Sequence, residues 1–164
     1  MKEASEALGL WWYHDKKSIR STVGSKSAQG FPDQCGDIGV ARSGLANPWV
    51  WAVEVKNRED WSIEEVLEYG KDSVLVQAWL QCKRAIRDTH RFPLLWLKRA
   101  YHKPLVGLRA AHVSIFESRC DKLSPQLTLL DFGLVLMPAR VLLSTKPGNW
   151  LQLWKDYAKL RRVA

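Results

Sequence analysis

Asp37-Ile-Gly-Val-Ala-Arg42 and Trp49-Val-Trp-Ala-Val-Glu-Val-Lys56 decide the reading of this chain. Both runs are apolar and rich in β-branched or aromatic residues, which predicts strands. Residues 43–48, Ser-Gly-Leu-Ala-Asn-Pro, make the turn between them, and a connection of that length favours an antiparallel hairpin. Side chains alternate along a strand, so Glu54 and Lys56 share one face while Val53 and Val55 point into the core. Two charges on one face at a strand end are costly to bury unless something uses them. Taken alone, Glu-Val-Lys is a common triplet, and a wet sheet face accounts for it. Asp37 changes that reading. It opens the preceding strand, 17 positions before Glu54, and a hairpin brings the two carboxylates together. Such a pair suits a hard divalent cation such as Mg2+, with the backbone carbonyl of Val55 as a further oxygen ligand. The cation would polarise a phosphate and acidify a bound water, and Lys56 would orient that water or hold the phosphate.

Working outward, residues 2–13 carry apolar positions at Ala4, Ala7, Leu8, Trp11 and Trp12, which predicts a helix. Residues 21–36 are rich in Ser, Gly, Lys and Gln and predict a flexible basic loop. Ser62-Ile-Glu-Glu65 has capping-box spacing for a helix that starts at Ser62 and is interrupted near Gly70. A second helix is expected from about Ser73 to Asp88, with Val74, Ala78, Leu80, Ala85 and Ile86 on its packed face. Strands are expected over 93–100 and 104–111, around a turn at His102-Lys103. Segments 127–132 and 134–143 read as extended, and 150–160 as a helix. This order predicts an α/β fold with a mixed central β-sheet flanked by helices. A length of 164 residues suits one domain. Its motif-bearing core spans about 1–110, and 111–164 supplies further strands or a dimer interface.

The chain carries 25 Lys and Arg against 17 Asp and Glu, a net charge of +8 with a pI near 9.6. That balance makes nucleic acid the partner to test. Cys35, Cys82 and Cys120 are far apart and odd in number, which fits a reduced intracellular setting better than a disulfide framework. Cys35 reads as a small packing residue. His14, His90, His102 and His112 form no paired metal-ligand motif, and there is no Walker-type phosphate loop. No secretory signal or membrane-length apolar run appears, so a soluble cytoplasmic protein is expected, in the host cytoplasm if a phage encodes it.

Gly36-Asp37 on one strand and Glu54-Val55-Lys56 on the next resemble the PD-(D/E)xK nuclease superfamily. The resemblance implies a restriction-endonuclease-like fold and Mg2+-dependent cleavage of phosphodiesters, with Mn2+ able to substitute. Asp37 and Glu54 would be metal ligands and Lys56 the catalytic lysine. Members often have Pro before the Asp, where this chain has Gly36. The literal Pro32-Asp33 is followed by Gln-Cys-Gly rather than an apolar strand, so Asp37 is preferred and Asp33 reads as a turn residue. Within the superfamily the chain looks most like archaeal-type Holliday junction resolvases and their phage relatives. It is compact, its first helix carries Glu3 and Glu6 where those proteins place a metal-binding Glu, and Gly24-Ser25-Lys26 resembles their phosphate-proximal loop. The two helix acids are not distinguished from one another, and the helix dipole alone would favour either. Gln77, with Gln81 as second choice, resembles a Gln that related nucleases carry on the helix after the Glu-x-Lys strand. The resemblance covers roughly residues 1–110. It implies a homodimer cutting four-way DNA junctions. The alternatives are a nuclease acting on flaps, nicks or duplex, and a non-catalytic DNA-binding protein of the same fold. Lys16, Lys17, Arg20, Lys26 and Arg42 flank the site in sequence and are candidates for phosphate contact. Lys159-Leu-Arg-Arg162 forms a second basic cluster.

Overall fold

The computed structural model describes residues 1–21, 36–41, 45, 47–59, 61–86, 90–120, 122–124 and 127–163, leaving out the side chains of 21, 85 and 160–163. Ser25, Lys26, Asp33, Cys35 and Arg42 therefore lie outside the described residues. A seven-stranded sheet runs in the order β1(Ile19–Ser21), β2(Ile38–Val40), β3(Trp51–Asn57), β4(Phe92–Lys98), β5(Leu105–Arg109), β7(Leu134–Pro138), β6(Leu127–Leu129). β3 and β4 pair in parallel, and the remaining neighbours pair antiparallel. Parallel strands need a crossover. Here it carries α2(Ile63–Tyr69) and α3(Val74–Ala85), joined by a 3-10 turn at Gly70–Asp72. The remaining helices are α1(Lys2–Tyr13), α4(Ala110–Arg119), α5(Ala139–Leu143) and α6(Pro147–Val163). The protein is thus an α/β fold with a mixed sheet flanked by helices, consistent with the restriction-endonuclease-like architecture.

Strand periodicity divides the core between the two faces. Trp51, Val53, Phe92, Leu94, Trp96, Val106, Leu108, Val135 and Met137 point to one face and pack with residues of α1, α4, α5 and α6. Trp51 is the hub there. Its ring centroid lies 6.0 Å from Trp11, 6.2 Å from Trp12, 5.6 Å from Phe92 and 5.1 Å from Trp150. Such pairs add roughly 0.5–1.5 kcal/mol each beyond burial. Leu95, Leu97, Leu134 and Leu136 point to the other face, under Val66 of α2 and Leu75, Val76, Ala78, Trp79 and Cys82 of α3. The high tryptophan count is therefore mostly core.

The crossover shows how local chemistry sets its course. Ser62 Oγ accepts from Glu65 N–H at 3.0 Å, the expected cap. The Glu65 carboxylate does not return to Ser62. It accepts from the N–H of Val74 at 3.0 Å and ties α2 to the first turn of α3. Gly70 ends α2 at φ 53, and Ser73 caps α3 through Val76 N–H at 3.3 Å.

The structure corrects several element assignments. Ile19–Ser21 pairs with β2 as an edge strand, so Ser21, expected to open the basic loop, belongs to the sheet. Helix α4 occupies 110–119, where the strand was expected to run to 111. Its apolar contacts come from Val113, Phe116 and His112, and a buried histidine hid the stripe. Residues 139–143 form a helix instead of continuing β7, because a short apolar run cannot distinguish a strand from a buried helical turn. After β6, residues 130–132 form a 3-10 turn. α6 starts at Pro147, a favourable first helical position, three residues before the expected helix.

His112 lies buried against Phe92 at 4.4 Å and Tyr157 at 5.5 Å. Burial, assisted by the charge of Arg109, lowers its pKa from 6.5 to about 4. The unfolded chain therefore binds this proton at a higher pH than the folded one. The contribution of His112 to stability should be complete above pH 6.5 and fall as pH drops from 6.5 towards 4, by about 3 kcal/mol. Urea unfolding across that window checks this, and His112→Phe should flatten the slope.

Candidate active site

β2 approaches β3 unusually closely at Gly36 and Asp37. Gly36 adopts φ +88 and forms an isolated bridge to Val53. A Cβ at Gly36 would land on the carbonyl oxygen of Val53, with the Val53 backbone nitrogen and carbonyl carbon both 2.9 Å away. Neither Pro nor any other side chain fits, which explains the glycine before the acid. Asp37 N–H donates to Val53 O at 2.6 Å, and Asp37 Oδ2 accepts from Val55 N–H at 2.8 Å. The carboxylate thus takes the place of a ladder carbonyl where β2 leaves the regular pairing, and Oδ1 is left for another partner.

Glu54 lies in mid-strand, only 5% exposed, on the face covered by α3. Its Oε1 accepts from Lys56 Nζ at 2.7 Å. The same ammonium donates to Gln81 Oε1 at 3.2 Å. Lysine has three N–H donors, so one remains. Burial raises the pKa of Glu54, the hydrogen bond from Lys56 opposes this, the charge of Asp37 raises it again, and the charge of Lys56 lowers it. A buried carboxylate whose ionisation is disfavoured by burial and by a neighbouring acid, with one lysine as its partner, favours an incoming cation. Among the described residues no third His, Cys, Asp or Glu joins the pair in a metal-holding group.

The other expected site residues are placed as follows. Glu3 pairs with Lys98, the last residue of β4, at 3.6 Å, and Glu6 pairs with Lys2 at 3.9 Å. Both are on α1, which packs on the opposite face of the sheet from Glu54. Gln77 is exposed and donates from Nε2 to the carbonyl of Lys71 at 2.8 Å, away from Lys56. Gln81, one turn later, is the glutamine that meets the cluster. The two share one face of α3, so what separates them is position along the helix axis: Cys82, next to Gln81, reaches the Ala52 carbonyl of β3 at 3.7 Å. Arg20 is exposed on β1, the edge strand beside β2. Lys16 and Lys17 are exposed in the preceding turn.

The family model described as "Phage putative PDDEXK endonuclease" matches residues 2–130 of this chain. No curated protein and no solved structure matches it.

Two outcomes follow from this geometry. Gly36→Ala should lose about 1–3 kcal/mol in chemical denaturation, because the added methyl meets backbone and the φ is left-handed. Glu54→Gln tests the buried acid. The folded pKa of Glu54 is raised, so its ionisation weakens the fold as pH climbs above the unfolded value of 4.5. The neutral isostere should therefore be more stable than the parent at pH 8 and equal to it below pH 4.5 in urea unfolding.

Proposed function

This chain belongs to that family of phage PDDEXK endonucleases, and on that premise we propose that it is a Mg2+-dependent DNA endonuclease working at Asp37, Glu54 and Lys56. The observation that carries the reading is the Asp37–Glu54–Lys56–Gln81 cluster. A half-buried carboxylate, held by the Val55 N–H, stands beside a buried one whose lysine partner already serves two acceptors. The donor set is all oxygen, which suits Mg2+ or Mn2+. Asp37, Glu54 and the Val55 carbonyl would hold the ion, with waters and a substrate phosphate completing its shell.

When bound, Mg2+ supplies Lewis acidity toward the scissile phosphate and a lowered pKa for a water. The chain's own part is positional. Asp37 is fixed by its two backbone bonds to β3, so its remaining oxygen needs no reorganisation to meet a ligand. Glu54 is held by burial and by Lys56. The third N–H of Lys56 reaches a phosphate oxygen or the attacking water. Hydrolysis joins the water oxygen to phosphorus and releases the sugar oxygen as an alcohol.

We take a four-way junction as the substrate and a homodimer as the active form. Support comes from the resemblance to junction resolvases, the +8 charge, and the match between a two-fold dimer and a two-fold junction. The acids of α1 add nothing to this support, since Glu3 is paired with Lys98. A related nuclease acting on flaps, nicks or duplex would use the same residues.

Labelled junction, flap and linear duplex should be incubated with Mg2+, with Mn2+ and with EDTA. Paired cuts confined to the junction, absent in EDTA, are expected. Asp37→Ala and Glu54→Ala should each lower the rate by roughly a thousandfold or more. Equal cutting of all three substrates would discard the junction and keep the nuclease. No cutting with either metal would leave a DNA-binding protein.

A further inference from the structure

At the tip of the β4–β5 hairpin the backbone turns through Arg99–His102, closed by His102 N–H to Arg99 O at 3.3 Å. Tyr101 occupies the left-handed region at φ 60 and is fully exposed, at 105%. Gly or Asn ordinarily fills such a position. A tyrosine there costs on the order of 1–2 kcal/mol of backbone strain and buries nothing in return.

The turn is nonetheless firmly held. Lys98 Nζ donates to His102 O at 2.7 Å, and Ala100 N–H donates to Glu59 Oε1 at 2.5 Å. Arg99 lies over the ring of Trp61 at 5.7 Å and faces Glu59 Oε2 at 4.0 Å. Glu59 and Trp61 belong to the segment that leaves the catalytic end of β3. The tip is thus braced to the strand that bears Glu54 and Lys56. His102 and Lys103 follow Tyr101, both exposed.

Register places this tip beside the site. β3 and β4 are parallel, with Lys56 opposite Leu97 and Asn57 opposite Lys98. Tyr101 lies four chain steps, at most about 14 Å, beyond Leu97. That is on the order of four stacked nucleotides. An exposed aromatic on a rigid turn, with a histidine and a lysine next to it, has the makings of a base-stacking platform.

Building on the nuclease reading, we propose that Tyr101 stacks on an unpaired base of the substrate DNA and so guides a single-stranded segment past the Glu54–Lys56 site. The ligand class is an unstacked nucleobase, which branched or single-stranded DNA offers and intact duplex does not.

The test is binding in EDTA, with cutting suppressed. Fluorescein-labelled oligothymidine of about 12 nucleotides and a duplex of equal length are titrated with the whole chain and followed by anisotropy. Tyr101→Gly should keep or raise the thermal midpoint, since the strain is relieved. It should weaken single-strand binding by about 5- to 150-fold and leave duplex binding unchanged. Tyr101→Phe should bind like the parent. Unchanged single-strand affinity in Tyr101→Gly, equal losses on both probes, or a loss in Tyr101→Phe would each overturn the stacking role. So would a parent chain that does not bind oligothymidine. If single-strand affinity falls in Tyr101→Gly but the parent cuts no DNA with Mg2+, the stacking role stands and the nuclease reading fails. If the parent cuts and the affinity does not fall, the reverse holds.

Discussion

Two hydrogen bonds across the β2–β3 junction organise everything at the candidate site. One runs from Asp37 N–H to Val53 O, the other from Val55 N–H to the Asp37 carboxylate. Together they replace regular pairing at the point where β2 departs, and they set the acid against the strand that bears Glu54. The close approach they need excludes a Cβ at Gly36. A backbone constraint, rather than any contact between side chains, thus brings the carboxylates within electrostatic reach. The price is a left-handed glycine and a buried carboxylate with only Lys56 to neutralise it.

The sheet separates what holds the fold from what does the chemistry. Trp11, Trp12, Trp51 and Trp150 lie on the face away from Glu54, packed ring against ring. The face that carries Glu54 and Lys56 is closed by α3, whose Leu75, Val76 and Trp79 cover Leu95 and Leu97 of the neighbouring strand. An unfavourable burial at Glu54 can therefore persist without drawing on the aromatic layer. α3 both completes the core on that face and contributes Gln81 to Lys56.

Period-two alternation was enough to read Glu54 and Lys56 as neighbours on one face, and the spacing to Asp37 was enough to read a hairpin. The caps at Ser62 and Gly70 were equally plain, because each reflects a local backbone need. What escaped depended on tertiary contact. β1 is three residues long and exists through its pairing with β2. α4 hides its stripe behind a buried histidine. The choice between Gln77 and Gln81 turns on how far along β3 the helix α3 is set, since the two share one helix face and differ by one turn. The acids of α1 fell on the other face for the same reason: a helix pattern says which side is buried, not which side of the sheet it is buried against.

The parallel pairing of β3 with β4 bears on the order in which the molecule assembles. Glu54 lies opposite Leu95, 41 positions further on, whereas Asp37 is 17 positions away. Loop closure is easier for the nearer partner, and contacts between distant positions slow folding. The β2–β3 pairing thus closes a shorter loop than the β3–β4 pairing does. During synthesis both acids therefore leave the ribosome before α3 and β4, the elements that complete the sheet around them.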